Sequence, residues 1–236
     1  MANYCSSDWH SAPWAWPIVK EFLKPDDKLY YLGDITGRGA EPTGGWNHLK
    51  EMLDDNRIVY IPGNHDYIIA DWFDTGDEYL SYINGEISTI VAIDADPEAK
   101  NYIKRIKNLP LYVVYMRRDG KKVFMSHSGS INIDDECDLL WDRIEYLTQQ
   151  NWTDYDYIIH GHSRAKHIMK DLQKVNEFYG KEQYTVPAYT GGAYFYYPWR
   201  ATVDCGTILS NQITLLNIDT FEEEIFNAPP GVNNLS

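Results

Sequence analysis

Five apolar, strand-like segments of this sequence end in side chains that can bind a metal ion or move a proton. The third segment runs into Gly63-Asn64-His65-Asp66, which places an amide, an imidazole and a carboxylate in one turn. Such groups are costly to bury without partners, whereas ligands bind beyond the carboxyl ends of strands in α/β proteins. The turn therefore indicates a functional site, although a helix cap or a type I turn would use the same residue types.

The first two segments end in carboxylates. Asp8 and His10 lie two positions apart, so an extended chain would direct both side chains to one side. Asp34 lies in the glycine-rich turn Gly33–Gly39, where its carboxylate could bridge two cations. In the same turn, the planar guanidinium of Arg38 could clamp a phosphate group. Taken alone, each segment end is also compatible with an ordinary turn that exposes a histidine or an arginine.

The last two segments end in histidine. His127 follows Val123–Ser126, and His160 and His162 follow residues 155–159. A histidine satisfied by hydrogen bonds is the alternative at each position. Oxygen and imidazole ligands without thiolates suit Mn, Fe or Zn. Five segments each end in Asp, Asn or His, and this recurrence favours a site for two metal ions. Such a pair would clamp both the attacking and the leaving oxygen of a phosphoryl displacement.

Alternating strands and helices are needed to position these side chains. Strands are predicted over 3–7, 28–33, 57–62, 111–116, 121–126, 155–160, 185–189 and 213–218, and helices over 17–23, 46–54, 67–73, 98–107 and 137–148. Asp119-Gly120 indicates a hairpin. The pattern is that of an α/β protein that becomes rich in β-structure. We expect one domain over 1–226, with 74–96 as an insertion between helices, and a loose tail over 227–236.

Composition excludes several classes of protein. The 236 residues are 44% apolar and 14% aromatic, which suffices for a sizeable core. We expect no transmembrane helix, because no apolar run approaches about 18 residues, and no signal peptide, because the segment that starts at Met1 lacks a basic and an apolar region. Three irregularly spaced cysteines favour a reduced, cytoplasmic protein. The net charge of −14 and the lack of a long basic run argue against nucleic-acid binding. The acidic excess serves either solubility or cation binding.

In their order and spacing, the motifs resemble the calcineurin-like metallophosphoesterases. The resemblance rests on Asp8-x-His10, Gly33-Asp34-x-x-Gly37-Arg38-Gly39, Gly63-Asn64-His65-Asp66, His127 and Gly161-His162. The Gly-Arg-Gly ending is most similar to the phosphoprotein phosphatase branch, with its bacterial and phage members and the related diadenosine tetraphosphatases. The resemblance implies a four-layer α/β/β/α sandwich with two mixed β-sheets and the site at one sheet edge.

The resemblance also implies a role for each side chain. Two divalent ions, expected to be Mn with Fe, Zn or Ni as alternatives, would be held by Asp8, His10 and Asp34 and by Asp34, Asn64, His127 and His162. A water molecule bridging them would attack phosphorus, and His65 would protonate the leaving oxygen. Arg38 and Arg143 would bind phosphate. Arg143 belongs to Leu140-Trp141-Asp142-Arg143, and its alternative is a helix-surface arginine near Glu145.

Two positions depart from the family pattern. Gly37 replaces an aspartate that orients the general-acid histidine in the phosphatase branch. Either Asp66 or another acid would then orient His65, with Asp66 as the candidate beside it, or the proton transfer would be weaker. Arg164 stands where many metallophosphoesterases have a second histidine, which leaves the first metal with three protein ligands and water. His160 has no ligand role in the family pattern. The sequence Asp204-Cys205-Gly206 resembles an Asp-x-Gly that shapes the pocket.

The function expected from the resemblance is metal-dependent hydrolysis of a phosphoester. The substrate would be a phosphorylated serine or threonine of a protein, or a small-molecule phosphomonoester. One alternative is a hydrolase of dinucleoside polyphosphates such as diadenosine tetraphosphate. The other is a non-catalytic binding module on the same fold, which only the missing aspartate at Gly37 supports.

Overall fold

The computed structural model describes residues 1–39, 41–143, 154–180, 186–197 and 199–232. The strands are β1 Asn3–Ser6, β2 Lys28–Tyr31, β3 Ile58–Tyr60, β4 Tyr112–Met116, β5 Lys122–Ser126, β6 Tyr157–His160, β7 Tyr194–Tyr197, β8 Arg200–Thr202, β9 Gln212–Asn217 and β10 Glu223–Asn227. The helices are α1 Ala15–Phe22, α2 Pro42–Asp54, α3 Asn64–Thr75, α4 Tyr79–Asn84, α5 Ile87–Asp94, α6 Ala99–Lys107, α7 Glu136–Trp141, α8 Ala165–Tyr179 and α9 Thr207–Ser210.

The strands form two mixed five-stranded sheets. The first has the order β10-β9-β1-β2-β3, in which β1, β2 and β3 are parallel and β9 and β10 are antiparallel to their neighbours. The second has the order β4-β5-β6-β8-β7, in which β5, β6 and β8 are parallel. Its outer strands β4 and β7 pair antiparallel to β5 and β8. The expected α/β fold with two mixed β-sheets is confirmed.

Apolar side chains from both sheets meet in a central core. This core includes Cys5, Leu32 and Ile61 of the first sheet and its strand ends, and Val123, Met125, Ile159 and Val203 of the second. Successive strand residues face opposite sides, so Leu29 and Tyr31 of β2 pack in a different cluster from their neighbour Tyr30. The two sheets therefore lie face to face.

Helices cover the outer faces of both sheets. Leu29 and Tyr31 pack with buried residues of α1, α2, α3 and α6. On the second sheet, α7 contributes to a cluster with Phe124 and Ile158, and α8 packs against Tyr194 and Tyr196 of β7. Helices on both outer faces complete the four layers. The carboxyl ends of the parallel strands in each sheet carry the polar turns that the sequence singled out.

Of two local predictions, the hairpin is confirmed and one strand is not. The hairpin at Asp119-Gly120 joins β4 and β5, and Gly120 takes a left-handed conformation with φ of 83°. The strand predicted over 185–189 is wrong for its described part, residues 186–189, which is irregular and contains Pro187. A proline lacks the backbone donor that a ladder requires. The second sheet is completed instead by β7 and β8, which the prediction missed.

The helical regions show further differences. The expected insertion folds into α4 and α5, and the long helix α8 was not predicted. The helix predicted over 137–148 begins at Glu136 and ends at Trp141, with residues 144–148 outside the described ranges. The first residue of the expected tail, Asn227, belongs to β10, and residues 233–236 are not described. No helix of the described chain has the length and apolarity needed to cross a membrane.

Candidate metal centre

Asp34 lies at the centre of the site, because its carboxylate belongs to two clusters of potential ligands. In the first cluster, ligand atoms of His10, Asp34 and His65 lie within 4.8 Å of one another, and the same limit holds for Asp34, His127 and His162 in the second. Oδ2 of Asp34 is 3.3 Å from Nε2 of His127 and 4.0 Å from Nε2 of His10. A carboxylate shared in this way has the placement that a bridging ligand requires.

The two remaining predicted ligands lie beside these clusters. Oδ1 of Asp8 is 3.7 Å from Nε2 of His10, and Oδ1 of Asn64 is 3.0 Å from Nε2 of His127. Oδ2 of Asp8 accepts a hydrogen bond of 2.9 Å from the backbone N–H of His162. The structure thus brings the six predicted ligands together from five strand ends.

Backbone carbonyls fix the histidine rings. Nδ1 of His127 donates to the carbonyl oxygen of Leu32 at 2.6 Å, and Nδ1 of His10 donates to that of Thr36 at 3.1 Å. Each bond leaves the Nε2 lone pair of the ring directed to the site, which is how outer partners orient metal-binding histidines. Nε2 of His162 is buried without a hydrogen-bond partner among the described residues. Imidazole nitrogens together with carboxylate and amide oxygens form a set of ligand atoms that fits Mn, Fe or Zn.

Five of the predicted site residues have left-handed backbone conformations. The φ angles are 56° at Asp8, 44° at His10 and 60° at Asp34, Arg38 and His162. Such angles cost of order 1–3 kcal/mol for a residue other than glycine and cluster at functional sites. The sharp turns bring successive side chains of one loop into the same site.

Burial and mutual charge shift the protonation of the site. Burial, followed by the charge of nearby carboxylates, raises the pKa of Asp8 well above its usual range. Burial also lowers the pKa of His10 to about 3. For Asp34, burial opposes ionisation, but the neighbouring His127 and His65 outweigh it and hold its pKa well below the usual range. A cation bound in this buried site would offset the negative charge of its carboxylates.

The two predicted phosphate-binding arginines face the same cavity as the histidines. A cavity of about 150 Å³ is lined by His10, Arg38, Arg143, His162, Arg164, His167, Asp204, Gly206 and Ile208. Arg143 follows the end of α7, and its Nη1 lies 3.5 Å from the carbonyl oxygen of His162. The guanidinium groups of Arg38 and Arg143 in this lining give the site the charge needed to hold a phosphate. Glu145, the partner in the alternative interpretation, lies outside the described residues.

Asp66 has a different role from the predicted one. Its Oδ2 accepts hydrogen bonds from the backbone N–H groups of Gly63 at 2.9 Å and Asp34 at 3.1 Å, and from the hydroxyl of Tyr60 at 3.0 Å. Burial, followed by the charge of Asp34, raises its pKa to about 7. The prediction that Asp66 orients His65 is wrong, because this carboxylate ties two turns together instead.

Glu86 is the carboxylate that faces His65. Nδ1 of His65 donates a hydrogen bond to Oε1 of Glu86, whose side chain is fully buried just before α5. A Cβ atom added to Gly37 would overlap Oε1 of Glu86 and would lie 2.9 Å from Nδ1 of His65. Glu86 therefore occupies the space that a side chain at position 37 would need. Sequence reasoning missed it, and the only signal was a glycine at 37 together with an acidic residue in the helical insertion.

His160 has partners away from the metal centre. Its Nδ1 donates to the carbonyl oxygen of Gly161 at 2.8 Å, and its Nε2 accepts from the hydroxyl of Tyr196 at 2.7 Å. Both ring nitrogens are thus occupied, in agreement with the omission of His160 from the predicted ligands.

Comparison with known proteins decides the family. The model of the calcineurin-like phosphoesterase family matches residues 4–166, which is more than half of the chain. This protein is a calcineurin-like phosphoesterase. The matched range contains all the predicted metal ligands and both arginines, Arg38 and Arg143. It ends within the first turn of α8.

Two curated relatives of this phosphoesterase differ in how much they cover. An uncharacterized protein of Methanocaldococcus jannaschii is 34% identical over 103 residues, which are 43% of this chain and 38% of that protein. The match thus spans well under half of that relative's length. A bis(5'-nucleosyl)-tetraphosphatase (asymmetrical) of Anoxybacillus flavithermus is 21% identical over 212 residues, 83% of this chain and 77% of the relative.

Solved structures share the fold along nearly the whole phosphoesterase chain. A putative diadenosine tetraphosphatase has a TM-score of 0.59 at 13% identity, covering 97% of this chain and 94% of its own. A metallophosphoesterase of Sphaerobacter thermophilus has a TM-score of 0.58 at 14% identity, with coverages of 97% and 88%. A protein serine/threonine phosphatase of Saccharomyces cerevisiae has a TM-score of 0.57 at 12% identity, with coverages of 99% and 82%. At these identities the similarity establishes the fold alone.

Proposed function

We propose that this phosphoesterase hydrolyses a phosphomonoester, on a protein serine or threonine or on a small molecule, with two divalent metal ions. The observation that carries the proposal is the position of Asp34, whose carboxylate belongs to two ligand clusters at once. The arginines Arg38 and Arg143 line the cavity into which the same site opens. Paired cation sites beside two phosphate-binding groups suit phosphoryl transfer to water.

The residues that would hold the ions are those predicted from the sequence. Asp8, His10 and Asp34 would hold one ion, and Asp34, Asn64, His127 and His162 the other, with Mn expected and Fe, Zn or Ni as alternatives. The buried, unpartnered Nε2 of His162 and the Nε2 of His10 and His127 supply the nitrogen ligands. When bound, the ions would supply Lewis acidity and lower the pKa of water enough to make it a nucleophile at neutral pH.

The side chains of the chain itself would bind and protonate the substrate. Arg38 and Arg143 would hold the phosphate oxygens and offset their charge, as planar donor forks do. His65 would give a proton from Nε2 to the leaving oxygen, and that nitrogen is buried without a protein partner among the described residues. The Glu86 carboxylate on Nδ1 would hold the ring in place.

Turnover of an activated aryl phosphate tests this proposal. We expect hydrolysis of p-nitrophenyl phosphate with at least one of Mn, Ni, Fe and Zn, and loss of at least about 10³-fold in kcat on Asp34→Asn. Asp54→Asn on the exposed surface of α2 is a matched control that should retain full activity. Absence of hydrolysis with all four metals in the folded protein would overturn the proposal.

A dinucleoside polyphosphate is the second candidate substrate. The similarity to the Anoxybacillus tetraphosphatase over 83% of this chain favours it. The metal site would be the same, and the outer pocket would differ. Exclusive cleavage of diadenosine tetraphosphate, with no turnover of phosphomonoesters, would select this candidate over the first.

A non-catalytic binding module was supported only by the missing aspartate at Gly37. The buried carboxylate of Glu86 contacts Nδ1 of His65 from another part of the chain and lies in the space beside Gly37. The two hydrolase hypotheses are therefore better supported than the binding-module hypothesis.

A further inference from the structure

A second cavity opens beside the candidate metal centre. It has a volume of about 290 Å³ and is lined by Arg164, Lys166, His167 and Lys170 on one side and by Cys205, Gly206, Leu209 and Ser210 on the other. We call it the basic pocket. Arg164, His167 and Gly206 also line the cavity of the metal centre, so the two cavities are adjacent.

The charge of the basic pocket contrasts with that of the whole protein. Three cationic side chains line it, and its lining contains no carboxylate, whereas the chain carries a net charge of −14. Within the described ranges, none of Arg164, Lys166 and Lys170 is within ion-pairing distance of an acidic group. The acidic groups nearby are Asp204, whose pKa burial raises and the charge of Arg164 lowers, and Asp171, which acts on His167. The cations that converge on the pocket still repel each other, and an anion between them would reduce this cost.

Local structure places these charges around the start of helix α8. Nη2 of Arg164 donates to Nε2 of His167 at 2.8 Å, which holds the guanidinium between the two cavities. The lysines project from the first two turns of the 15-residue helix α8, whose N-terminal end carries a partial positive charge. The positive end of the helix adds to the side-chain charges and does not oppose them.

We propose that the basic pocket binds a second phosphate group of the substrate. The inference rests on the proposed function and narrows it to small molecules that carry at least two phosphate groups, one cleaved at the metal centre and one held in the pocket. The volume of about 290 Å³ accommodates a phosphate with a short organic portion, and the exposed side chain of Leu209 offers that portion an apolar wall. The pocket takes no part in bond making; it orients the substrate and lowers its Kd.

Calorimetric titration of the metal-loaded protein tests the proposal directly. The probes are inorganic diphosphate and inorganic phosphate, and the variant is Lys166→Gln/Lys170→Gln, because these lysines line the outer cavity and not that of the metal centre. We expect the Kd for diphosphate to rise roughly tenfold and that for phosphate to change less than about twofold. Lys174→Gln on the same helix, with a side chain 73% exposed and outside the pocket, is the matched control.

The outcomes separate this inference from the proposed function. An unchanged Kd for diphosphate in the double variant, or an equal loss in Lys174→Gln, would overturn the basic pocket. If the diphosphate effect is found but p-nitrophenyl phosphate is not hydrolysed with any metal, the pocket stands and the proposed function fails. If p-nitrophenyl phosphate is hydrolysed but the Kd for diphosphate does not change, the proposed function stands and the basic pocket fails. Unchanged circular dichroism of the variants excludes misfolding as the cause.

Discussion

The carboxylate of Glu86 pairs with Nδ1 of His65 in space that a side chain on residue 37 would fill. The two residues are 21 positions apart, and both side chains are almost fully buried. A buried carboxylate is costly unless it has a charged or hydrogen-bonded partner. The glycine at position 37 and the glutamate before α5 therefore form one structural unit with His65.

Removal of the Glu86 carboxylate should impair proton transfer more than substrate binding. We expect Glu86→Gln to lower kcat by about 10²-fold with little change in KM, because the protonated ring loses its counter-charge. Steady-state kinetics on p-nitrophenyl phosphate measures both constants.

A second-site variant distinguishes positioning from a merely structural role. Gly37→Asp combined with Glu86→Ala should recover part of the kcat that Glu86→Ala alone loses, because the new carboxylate would enter the emptied space beside His65. An aspartate tolerates the left-handed backbone at position 37, where φ is 77°. Wild-type kcat in Glu86→Ala would contradict the assigned role.

Asp66 should matter for stability. Asp66→Ala leaves the N–H groups of Gly63 and Asp34 and the hydroxyl of Tyr60 without their acceptor, all three in buried surroundings. We expect the free energy of unfolding to fall by about 3 kcal/mol, since buried unpaired donors cost about 1–3 kcal/mol each. Urea denaturation measures this loss, and Asp71→Ala on the exposed face of α3 provides the comparison. Equal stability of the two variants would show that the three contacts contribute nothing.

Arg143 should contribute to phosphate affinity. We expect Arg143→Ala to raise KM for p-nitrophenyl phosphate about tenfold or more while the bound metal content stays the same, since the guanidinium lines the cavity without belonging to either ligand cluster. Kinetics paired with elemental analysis of the same preparation checks both parts. A drop in metal content with unchanged KM would argue that the arginine supports the centre and not the substrate.

The residues predicted as ligands could be picked out from the sequence because they lie at the ends of apolar strands, and the structure brings them together. The side chains of Asp34, Asn64 and His127 meet because each lies in a turn at the carboxyl end of a parallel strand, and these strand ends lie at the same edge of the two sheets. Glu86 could not be found in this way, because its contact depends on how the helical segment around α4 and α5 folds back on Gly37. Packing between distant segments leaves no spacing pattern in the chain.

The error at Asp66 has a local cause. Helix α3 begins at Asn64, so Asp66 is its third residue, and a carboxylate at this position reaches back to the N–H of the residue before the helix. The strand predicted over 185–189 failed for a similar reason, since Pro187 interrupts a segment that is otherwise rich in β-formers. In both cases a backbone property outweighed the residue pattern on which the prediction rested: the free N–H at the start of a helix in the first case, and the missing N–H of a proline in the second.

The most direct test of the central claim is the number of metal ions bound per chain. The claim is that Asp34 is shared by two sites, with His162 belonging to one of them. After reconstitution with Mn and removal of excess ions, elemental analysis should give two ions per wild-type chain, about one for His162→Gln and fewer than one for Asp34→Asn. Two ions retained by Asp34→Asn, or one ion in the wild type, would contradict a centre bridged by this carboxylate.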